Sequence, residues 1–350
     1  MLNIRKQIEE NELKNLSDKA SFACKSRGRQ FEDDECSLRT CYQKDRDRII
    51  HSKSFRRLIG KTQVFIAPYG SHLRVRLTHT FEVNQIARTI ARALKLNEDL
   101  TEAISLAHDL GHTPFGHLGE KFLISVFDKE FHHSKQSLRV VDKLEKKGKG
   151  LNLSAEVRDG IVKHSKKITG IQNTVSGSTA ITLEGNIVRI SDSIAYLNHD
   201  IDDAIRLKKL KLEDIPKETL KILGDNHAQR INTMVSDVIE NSMNKDVISM
   251  SPEILEATNN LRLFLFNNVY LVENRHPSVD IVKKVLRRLW EYYIGMSDSL
   301  ENFHGDNAER VVADYIAGMT DIFAIRKYVE ITGEDLGELY FNCITEDKFY

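Results

Sequence analysis

The chain has 350 residues, and its 51 Lys and Arg balance 51 Asp and Glu. With 41% hydrophobic and 29% charged residues, the composition is that of a globular protein and excludes an intrinsically disordered one. The balanced charge excludes a global field that would attract nucleic acid or a membrane surface, so any attraction for phosphate groups must be local.

The N-terminus and the cysteines bear on the compartment. The first residues, MLNIRKQIEENELKNL, are charged and contain no apolar core of a signal peptide. The most apolar later stretch, 261–272, is too short and too polar to span a bilayer. The four cysteines lack the spacing of a four-ligand zinc site, so reduced thiols are the better interpretation. The sequence therefore predicts a cytoplasmic protein that does not associate with membranes.

Helical periodicity dominates the chain, and alternating strand patterns are few. The predicted helices run over about 77–94, from Asn97 to Gly111, from about Phe115, and over 134–147, 153–163, 183–206 and 307–329. A polar loop is predicted at 170–179. We expect an all-α fold with a charged N-terminal arm (1–51), a helical core that carries the functional residues (52–206) and a C-terminal helical region (207–350).

Two histidines lie on the inward stripes of neighbouring predicted helices. His79 continues the stripe of Val83, while His108 lies one turn after Ile104 and directly before Asp109. A single inward histidine is most often a satisfied core residue. Two of them on neighbouring helices, with an aspartate directly after the second, favour a metal site.

The long helix over 183–206 offers a further carboxylate. Asp192 lies between Ile190 and Ile194, a position that is unfavourable for an acidic residue unless it is paired or coordinates a cation. The predicted ligands are His79, His108, Asp109 and Asp192. Two imidazoles and two carboxylates leave open positions on a six-coordinate ion for water and a phosphate oxygen. This donor set favours Mn²⁺ or Fe²⁺ and is compatible with Mg²⁺.

The segment HDLGHTPFGHLGE, which begins at His108, contains three histidines among turn-forming residues. Its Gly and Pro residues turn the chain out of one helix and into the next. His117 and Glu120 then lie three residues apart on one face of that next helix. This spacing suits a carboxylate that orients an imidazole and keeps it charged, and a surface ion pair is the alternative interpretation.

Five blocks of sequence resemble, in the same order, the bacterial deoxynucleoside-triphosphate triphosphohydrolases (dGTPases) of the HD superfamily. They are RDRIIHSKSFRRL with KTQVF, then RLTHT, HDLGHTPFGHLGE, VRISDSIAYLNHDIDD and DYIAGMTD. The similarity extends from about residue 26 to about residue 325. It implies hydrolysis of a deoxynucleoside triphosphate, first of all dGTP, to the deoxynucleoside and inorganic triphosphate.

The resemblance also implies roles for individual residues. The predicted ligand quartet matches the family's metal ligands, and His117 with Glu120 matches its catalytic pair beside the α-phosphate. The positions that match deoxyribose contacts are Gln63, Tyr196 and Asp200, and the other expected substrate contacts are Arg76, His112, His133 and Lys163. Because Asp192, Tyr196 and Asp200 are spaced by four, they would form one stripe from metal to sugar. The tyrosine would then exclude a ribose 2′-hydroxyl, and the aspartate would bind the 3′-hydroxyl with Gln63.

Two positions depart from the family pattern. Ser134 stands where Asn is usual, and Ile322 where Arg is usual, which bears on base preference, oligomer contacts and rate.

The metal residues alone fit an HD phosphohydrolase of nucleoside monophosphates or cyclic nucleotides equally well. A nucleotide-binding or single-stranded-DNA-binding regulator without turnover is the third hypothesis. The HDLGHTPFGHLGE segment and the stripe with Tyr196 favour the dNTP triphosphohydrolase. The resemblance also implies a homo-oligomer, and single-stranded DNA is a candidate partner beside the dNTP.

Overall fold

Helices make up the secondary structure of the residues that the computed structural model describes, which are 3–65, 73–165, 179–273 and 278–336. Within these ranges there is no strand, and the only bridges of extended backbone are Arg29–Ser154 and Thr62–Val75. The predicted all-α fold is therefore confirmed. No helix in this part of the chain combines the length and apolar character needed to cross a membrane.

The α-helices are numbered in chain order. They are α1 (Ile4–Asn15), α2 (Cys41–Ile50), α3 (Lys53–Arg57), α4 (Arg76–Ala93), α5 (Glu98–Ala107), α6 (His117–Val126), α7 (His133–Arg139), α8 (Glu145–Gly148), α9 (Ala155–Lys163), α10 (Leu183–Arg206), α11 (Lys217–Leu223), α12 (His227–Ser242), α13 (Pro252–Leu265), α14 (Leu271–Glu273), α15 (Ser278–Ile294), α16 (Ala308–Ala317) and α17 (Asp321–Thr332). Short 3-10 turns lie at Ala23–Lys25, Leu58–Gly60, Leu212–Asp214 and Ser297–Ser299, and π-helical turns at Val140–Leu144 and Phe266–Tyr270.

The chain forms two compact units, each assembled from three segments. The first unit comprises 1–52, 80–108 and 151–269, and the second comprises 53–79, 109–150 and 270–350. The sequence-based division into an arm, a core and a C-terminal region follows the chain consecutively and stays a prediction.

Helix α10 is central to the first unit, where it packs against α5, α9, α12 and α13. It begins at Leu183 because the side chain of Thr182 accepts a hydrogen bond from the Gly185 N–H. Its apolar face, which includes Ile187, Ile194 and Leu197, is fully buried. Both the bounds and the buried face of this helix agree with the sequence prediction. The predicted N-cap of α5 is also confirmed, since Asn97 accepts from the Leu100 N–H.

Helix α15 holds the second unit together by packing against α6, α16 and α17. The shared core combines residues of the helix that follows the HDLGHTPFGHLGE turn with residues near the C-terminus. Its most deeply buried members include Leu123, Val282, Leu286, Val312 and Ala324. This core fixes the start of α6 and therefore the backbone that carries His117.

Three predicted helices differ from those observed. The helix predicted over 307–329 is two helices, because the chain leaves α16 at Gly318 and Thr320 caps α17 by accepting from the Phe323 N–H. The helix predicted over 134–147 ends as an α-helix at Arg139. It continues as a π-helical turn and then breaks where Lys146 adopts a positive φ of 52°. The helix predicted from about Phe115 begins at His117. The polar loop predicted at 170–179 lies, except for its last residue, outside the described residues.

Candidate active site

Asp109 lies at the centre of a buried group of charged side chains in the second unit. Its Oδ2 atom accepts a hydrogen bond from Arg76 at 2.6 Å and lies 4.0 Å from Nε2 of His79. Arg76 and His79 are three residues apart at the N-terminal end of α4, so one helix face presents both. The aspartate itself directly follows His108, the residue that caps α5. Two of the predicted metal ligands, His79 and Asp109, thus share this group.

Two further imidazoles adjoin Asp109 in the same unit. Nε2 of His112 lies 3.8 Å from Oδ1 of Asp109, and the rings of His112 and His133 stack with centroids 4.2 Å apart. The donor atoms of Asp109, His112 and His133 all lie within 4.8 Å of one another, and the three residues are buried. One carboxylate and two imidazoles form a donor set that can hold a divalent cation.

The state of His112 fits a metal-binding role. Burial, reinforced by the positive charge of Arg76, lowers the pKa of His112 well below its usual value, so the imidazole is neutral. A neutral imidazole is the form that binds a cation. Among the described residues, its Nδ1 has no hydrogen-bond partner although it is buried. A polar atom buried in this way is expensive unless something absent from the protein chain satisfies it.

Glu120 connects two histidines. Its Oε1 accepts a hydrogen bond from the His133 backbone N–H at 2.8 Å and lies 3.0 Å from His133 Nδ1, while Oε2 lies 3.4 Å from His117 Nδ1. Burial alone would raise the pKa of Glu120, but the hydrogen bonds from His117 and His133 hold it far below its usual range. Burial would likewise lower the pKa of His133, and the bond to Glu120 raises it instead. The carboxylate is therefore ionised and orients both rings.

His117 and His133 differ in exposure. The side chain of His117 is 65% exposed and that of His133 only 11%. The predicted contact of His117 with Glu120 is present, whereas the contact of Glu120 with His133 was not predicted. An exposed imidazole held by a buried carboxylate can exchange a proton with a bound molecule.

The turn between Asp109 and His117 depends on glycine at two positions. A Cβ atom on Gly111 would lie 2.1 Å from the backbone nitrogen of Ser137 in α7, so only glycine permits this approach. The Gly111 N–H also donates to Ser137 Oγ at 2.9 Å. Gly116 adopts a φ of 57° directly before α6. The turn-forming residues noted in the sequence thus bring α7, with His133, against His112.

His108 belongs to the first unit and is fully buried. Its Nδ1 lies 2.6 Å from the Ser105 carbonyl oxygen, and an N–H donated to that oxygen leaves Nε2 as the ring nitrogen that can bind a cation. Its ring packs edge-on against His164, with centroids 4.9 Å apart. His164, whose Nδ1 lies 2.6 Å from the Ile161 carbonyl oxygen, was missed by the sequence analysis. Its position three residues after Ile161, on the buried stripe that includes Val157, is the helical signal that could have indicated it.

Helix α10 of the first unit carries the predicted stripe. Asp192 and Tyr196 are half-buried and Asp200 is buried. Burial, reinforced by the charges of Asp192 and Asp200, raises the pKa of Tyr196. Asp200 Oδ1 also lies 2.8 Å from Nδ1 of His199, a partner that was not predicted. The proposed roles of the stripe in metal and sugar binding stay predictions.

The two remaining predicted substrate contacts lie one in each unit. Gln63, in the second unit, is buried, and its backbone oxygen accepts a hydrogen bond from Arg76 at 3.4 Å. Its side-chain oxygen has no hydrogen-bond partner within the described ranges. Lys163 is the last residue of α9 in the first unit and is half-buried. Their roles, and those of the other substrate contacts, stay predictions.

Two family models match this chain. Residues 76–197 match the HD domain, and residues 248–330 match the phosphohydrolase-associated domain. The first range contains all four predicted metal ligands, namely His79, His108, Asp109 and Asp192. An HD domain binds divalent metal ions and carries phosphohydrolase chemistry, and the buried cluster around Asp109 can hold such an ion.

Similar proteins match over nearly their whole length. The chain is 55% identical over 337 residues to a deoxyguanosinetriphosphate triphosphohydrolase-like protein of Caldanaerobacter subterraneus subsp. tengcongensis, with 94% of this chain and 96% of that protein covered. Proteins of the same name from Desulfatibacillum aliphaticivorans and Clostridium perfringens are 47% and 46% identical, each with 94% of this chain and 98% of the relative covered. The chain therefore belongs to the dGTPase family of HD-superfamily phosphohydrolases.

Proposed function

We propose that this protein is a metal-dependent dNTP triphosphohydrolase that converts a deoxynucleoside triphosphate, with dGTP as the first candidate, to the deoxynucleoside and inorganic triphosphate. The observation that carries the proposal is the arrangement around Glu120. An exposed His117 is held by a buried carboxylate that also holds His133, whose ring stacks on His112 beside Asp109. Proton transfer and cation binding are thus available in one unit of the protein.

The proposed metal ligands are His79, His108, Asp109 and Asp192. A divalent cation bound there supplies Lewis-acid polarisation of a phosphate oxygen. Mn²⁺ and Mg²⁺ are the first candidates and Fe²⁺ the next. Arg76, which donates to Asp109 at 2.6 Å, is the proposed partner of a phosphate group of the same substrate.

The proposed role of His117 is to give a proton to the leaving group. In the hydrolysis of the Pα–O5′ bond, water contributes its oxygen to the triphosphate, and the 5′ oxygen of the deoxynucleoside takes up a proton. His117, oriented through Nδ1 by Glu120, presents Nε2 for this transfer. Tyr196 and Asp200, with Gln63, are the proposed deoxyribose contacts, and Lys163 is a further phosphate contact.

A product analysis tests the proposal. Each dNTP, and GTP as a control, is incubated with the enzyme and Mn²⁺ or Mg²⁺, and the products are separated by ion-exchange chromatography. Inorganic triphosphate with the deoxynucleoside is the expected result. Orthophosphate released from nucleoside monophosphates, or opening of cyclic nucleotides, would favour the broader HD phosphohydrolase. Tight nucleotide or single-stranded-DNA binding without turnover would favour a regulator.

A homo-oligomer in the cytoplasm is also part of the proposal. Light scattering tests the oligomeric state, and cell fractionation tests the location.

A further inference from the structure

The turn that leads into α6 contains a strained residue. Phe115 has a φ of 58°, in the left-handed region that a bulky side chain rarely adopts. Its ring is buried in the core of the second unit. The next residue, Gly116, has a similar φ, and α6 begins directly after it with His117. A strained conformation at this position persists only if surrounding groups hold it.

Asp321 binds the backbone at this strained residue. One carboxylate oxygen accepts the Phe115 N–H at 2.8 Å, and the other accepts the Thr62 N–H at 2.9 Å. Asp321 is the first residue of α17, but its side chain does not cap that helix, because the cap is the side chain of Thr320. Both oxygens of Asp321 therefore serve other segments of the chain. An aspartate placed only to complement the helix dipole would not require these two bonds.

Lys61 holds the opposite end of the same turn. Its ammonium group donates to the carbonyl oxygens of His112 and Ala317. Lys61 is 2% exposed, and burial lowers its pKa to about 7 against the opposing effect of Asp321. Burial of ionisable side chains is costly unless they are hydrogen-bonded, and Lys61 and Asp321 both make their hydrogen bonds to backbone groups in this region. The carbonyl of His112 and the N–H of Phe115 are thus each bound by a buried ionisable side chain.

We propose that Asp321 is a positioning residue for His117. By holding Phe115 in its left-handed conformation, it fixes the direction in which α6 starts and hence the place of His117 relative to His112, whose ring centroid lies 5.7 Å from that of His117. The inference rests on the proposed function, in which His117 acts on the substrate. Within the described part of the chain, no hydrogen bond or ion pair joins Asp321 to His117 or Glu120, and its carboxylate oxygens accept from Phe115 and Thr62 instead.

Two variants and one matched control test this. Asp321→Asn keeps the size of the side chain but replaces one acceptor by an NH₂ group that faces a backbone N–H, and Asp321→Ala removes both acceptors. Thr320→Ala removes the cap of the same helix and leaves both hydrogen-bonding oxygens of the Asp321 side chain in place. The measurements are amide hydrogen exchange of the peptide containing Phe115, the NMR signal of ¹³C-labelled His117, and kcat and KM for the dNTP.

For both Asp321 variants we expect exchange at Phe115 to accelerate at least about tenfold and the His117 signal to shift. A displaced catalytic group costs on the order of 10²-fold in rate, so kcat should fall by about that factor while KM stays within about threefold. Thr320→Ala should lower the melting temperature but leave exchange at Phe115, the His117 signal and kcat unchanged.

Other results would overturn the inference. A folded Asp321→Asn protein with wild-type exchange and an unshifted His117 signal would show that Asp321 does not hold the turn. A shifted His117 signal with undiminished kcat would show that it holds the turn without positioning for catalysis. If the wild type hydrolyses no dNTP, the proposed function fails. The exchange rate at Phe115 and the His117 signal would still test whether Asp321 fixes the turn. If neither variant folds, the exchange rate of the Phe115 amide is measured in the unmodified protein. Rapid exchange would overturn the inference that Asp321 holds the turn, and slow exchange would support it.

Discussion

Glu120 binds His133 twice, through the backbone N–H at 2.8 Å and through the ring Nδ1 at 3.0 Å, while its second oxygen faces His117. One carboxylate thus orients an exposed imidazole and a buried one. The buried ring stacks on His112, which adjoins Asp109. A substitution of Glu120 should therefore affect both the proposed proton donor His117 and the cluster of Asp109, His112 and His133.

The Glu120→Gln variant should lose activity through both histidines. Glutamine offers one acceptor oxygen, and its NH₂ group would face a ring that now donates to the carboxylate. We expect kcat to fall roughly tenfold or more, which is less than for loss of the His117 ring, because both imidazoles remain. Steady-state kinetics with dGTP measure this. A variant with wild-type kcat would contradict the orienting role.

The His117→Ala variant should separate catalysis from binding. Because the His117 side chain is 65% exposed, its removal should leave the fold intact. We expect kcat to fall by the ~10²–10⁴-fold typical of a lost proton-transfer group, with little change in metal content or dNTP affinity. Metal analysis and equilibrium binding accompany the kinetics. Loss of the metal in this variant would make His117 a ligand instead.

The Asp109→Ala variant should lose metal binding, turnover and stability. Loss of a ligand should weaken metal affinity at least about tenfold, since even the loss of a residue that only hydrogen-bonds a ligand costs about 10–100-fold. The buried Arg76 also loses its carboxylate partner at 2.6 Å, which costs on the order of 3 kcal/mol. His108→Ala, which leaves this ion pair in place, should lose turnover with a smaller fall in melting temperature. Full activity of either variant at ordinary metal concentration would refute the ligand set.

Tyr196 should make the enzyme selective for deoxyribose over ribose. If its ring packs against C2′, the wild type should strongly prefer dGTP over GTP, and Tyr196→Ala should reduce that preference by roughly tenfold or more. Competition assays that follow kcat/KM for both nucleotides measure the ratio. Tyr196→Phe, which keeps the ring, is the matched control and should retain the preference. Equal use of GTP and dGTP by the wild type would refute the assignment.

Glu12 should make stability depend on pH. Burial raises the pKa of Glu12 to about 7, against an ordinary value of 4.5. The fold thus favours the protonated carboxyl, so this contribution is fully present below about pH 4.5 and is lost as the pH rises through about 7. At about 1.4 kcal/mol per pKa unit, linkage limits the loss to roughly 3–4 kcal/mol, and partial solvent exposure makes the actual loss smaller. Urea unfolding across this range should show a flatter pH dependence for Glu12→Gln than for the wild type. Glu10→Gln, an exposed change on the same helix, should behave like the wild type.

Local signals allowed much of the fold to be predicted from the sequence. The bounds of α10 follow from an apolar stripe and the Thr182 cap, and α5 follows from Asn97, because both depend on residues within one or two turns. The break between α16 and α17 escaped prediction because both helices bury an apolar face against α15, so the periodicity continues across it. The interruption is marked only at the junction itself, by Gly318 at the end of α16 and by the cap that Thr320 forms for α17.

The candidate site was predictable only where its contacts are local. His117 and Glu120 are three residues apart, so helical spacing alone pairs them. The bond of Glu120 to His133 joins residues 13 apart, and that of Asp321 to Phe115 joins residues 206 apart. Such pairs depend on which helices pack together, and no local pattern encodes this.

At Gly111, a Cβ atom would lie 2.1 Å from the backbone of α7. The distance between the two stacked imidazoles is therefore set by a residue that has no functional group of its own. A chain with alanine at this position would keep every histidine and carboxylate of the segment, yet α7 would have to move away from the turn and would carry His133 away from His112. The presence of all the chemically active residues is therefore insufficient to establish that this site is intact. The site also depends on the absence of a side chain at Gly111.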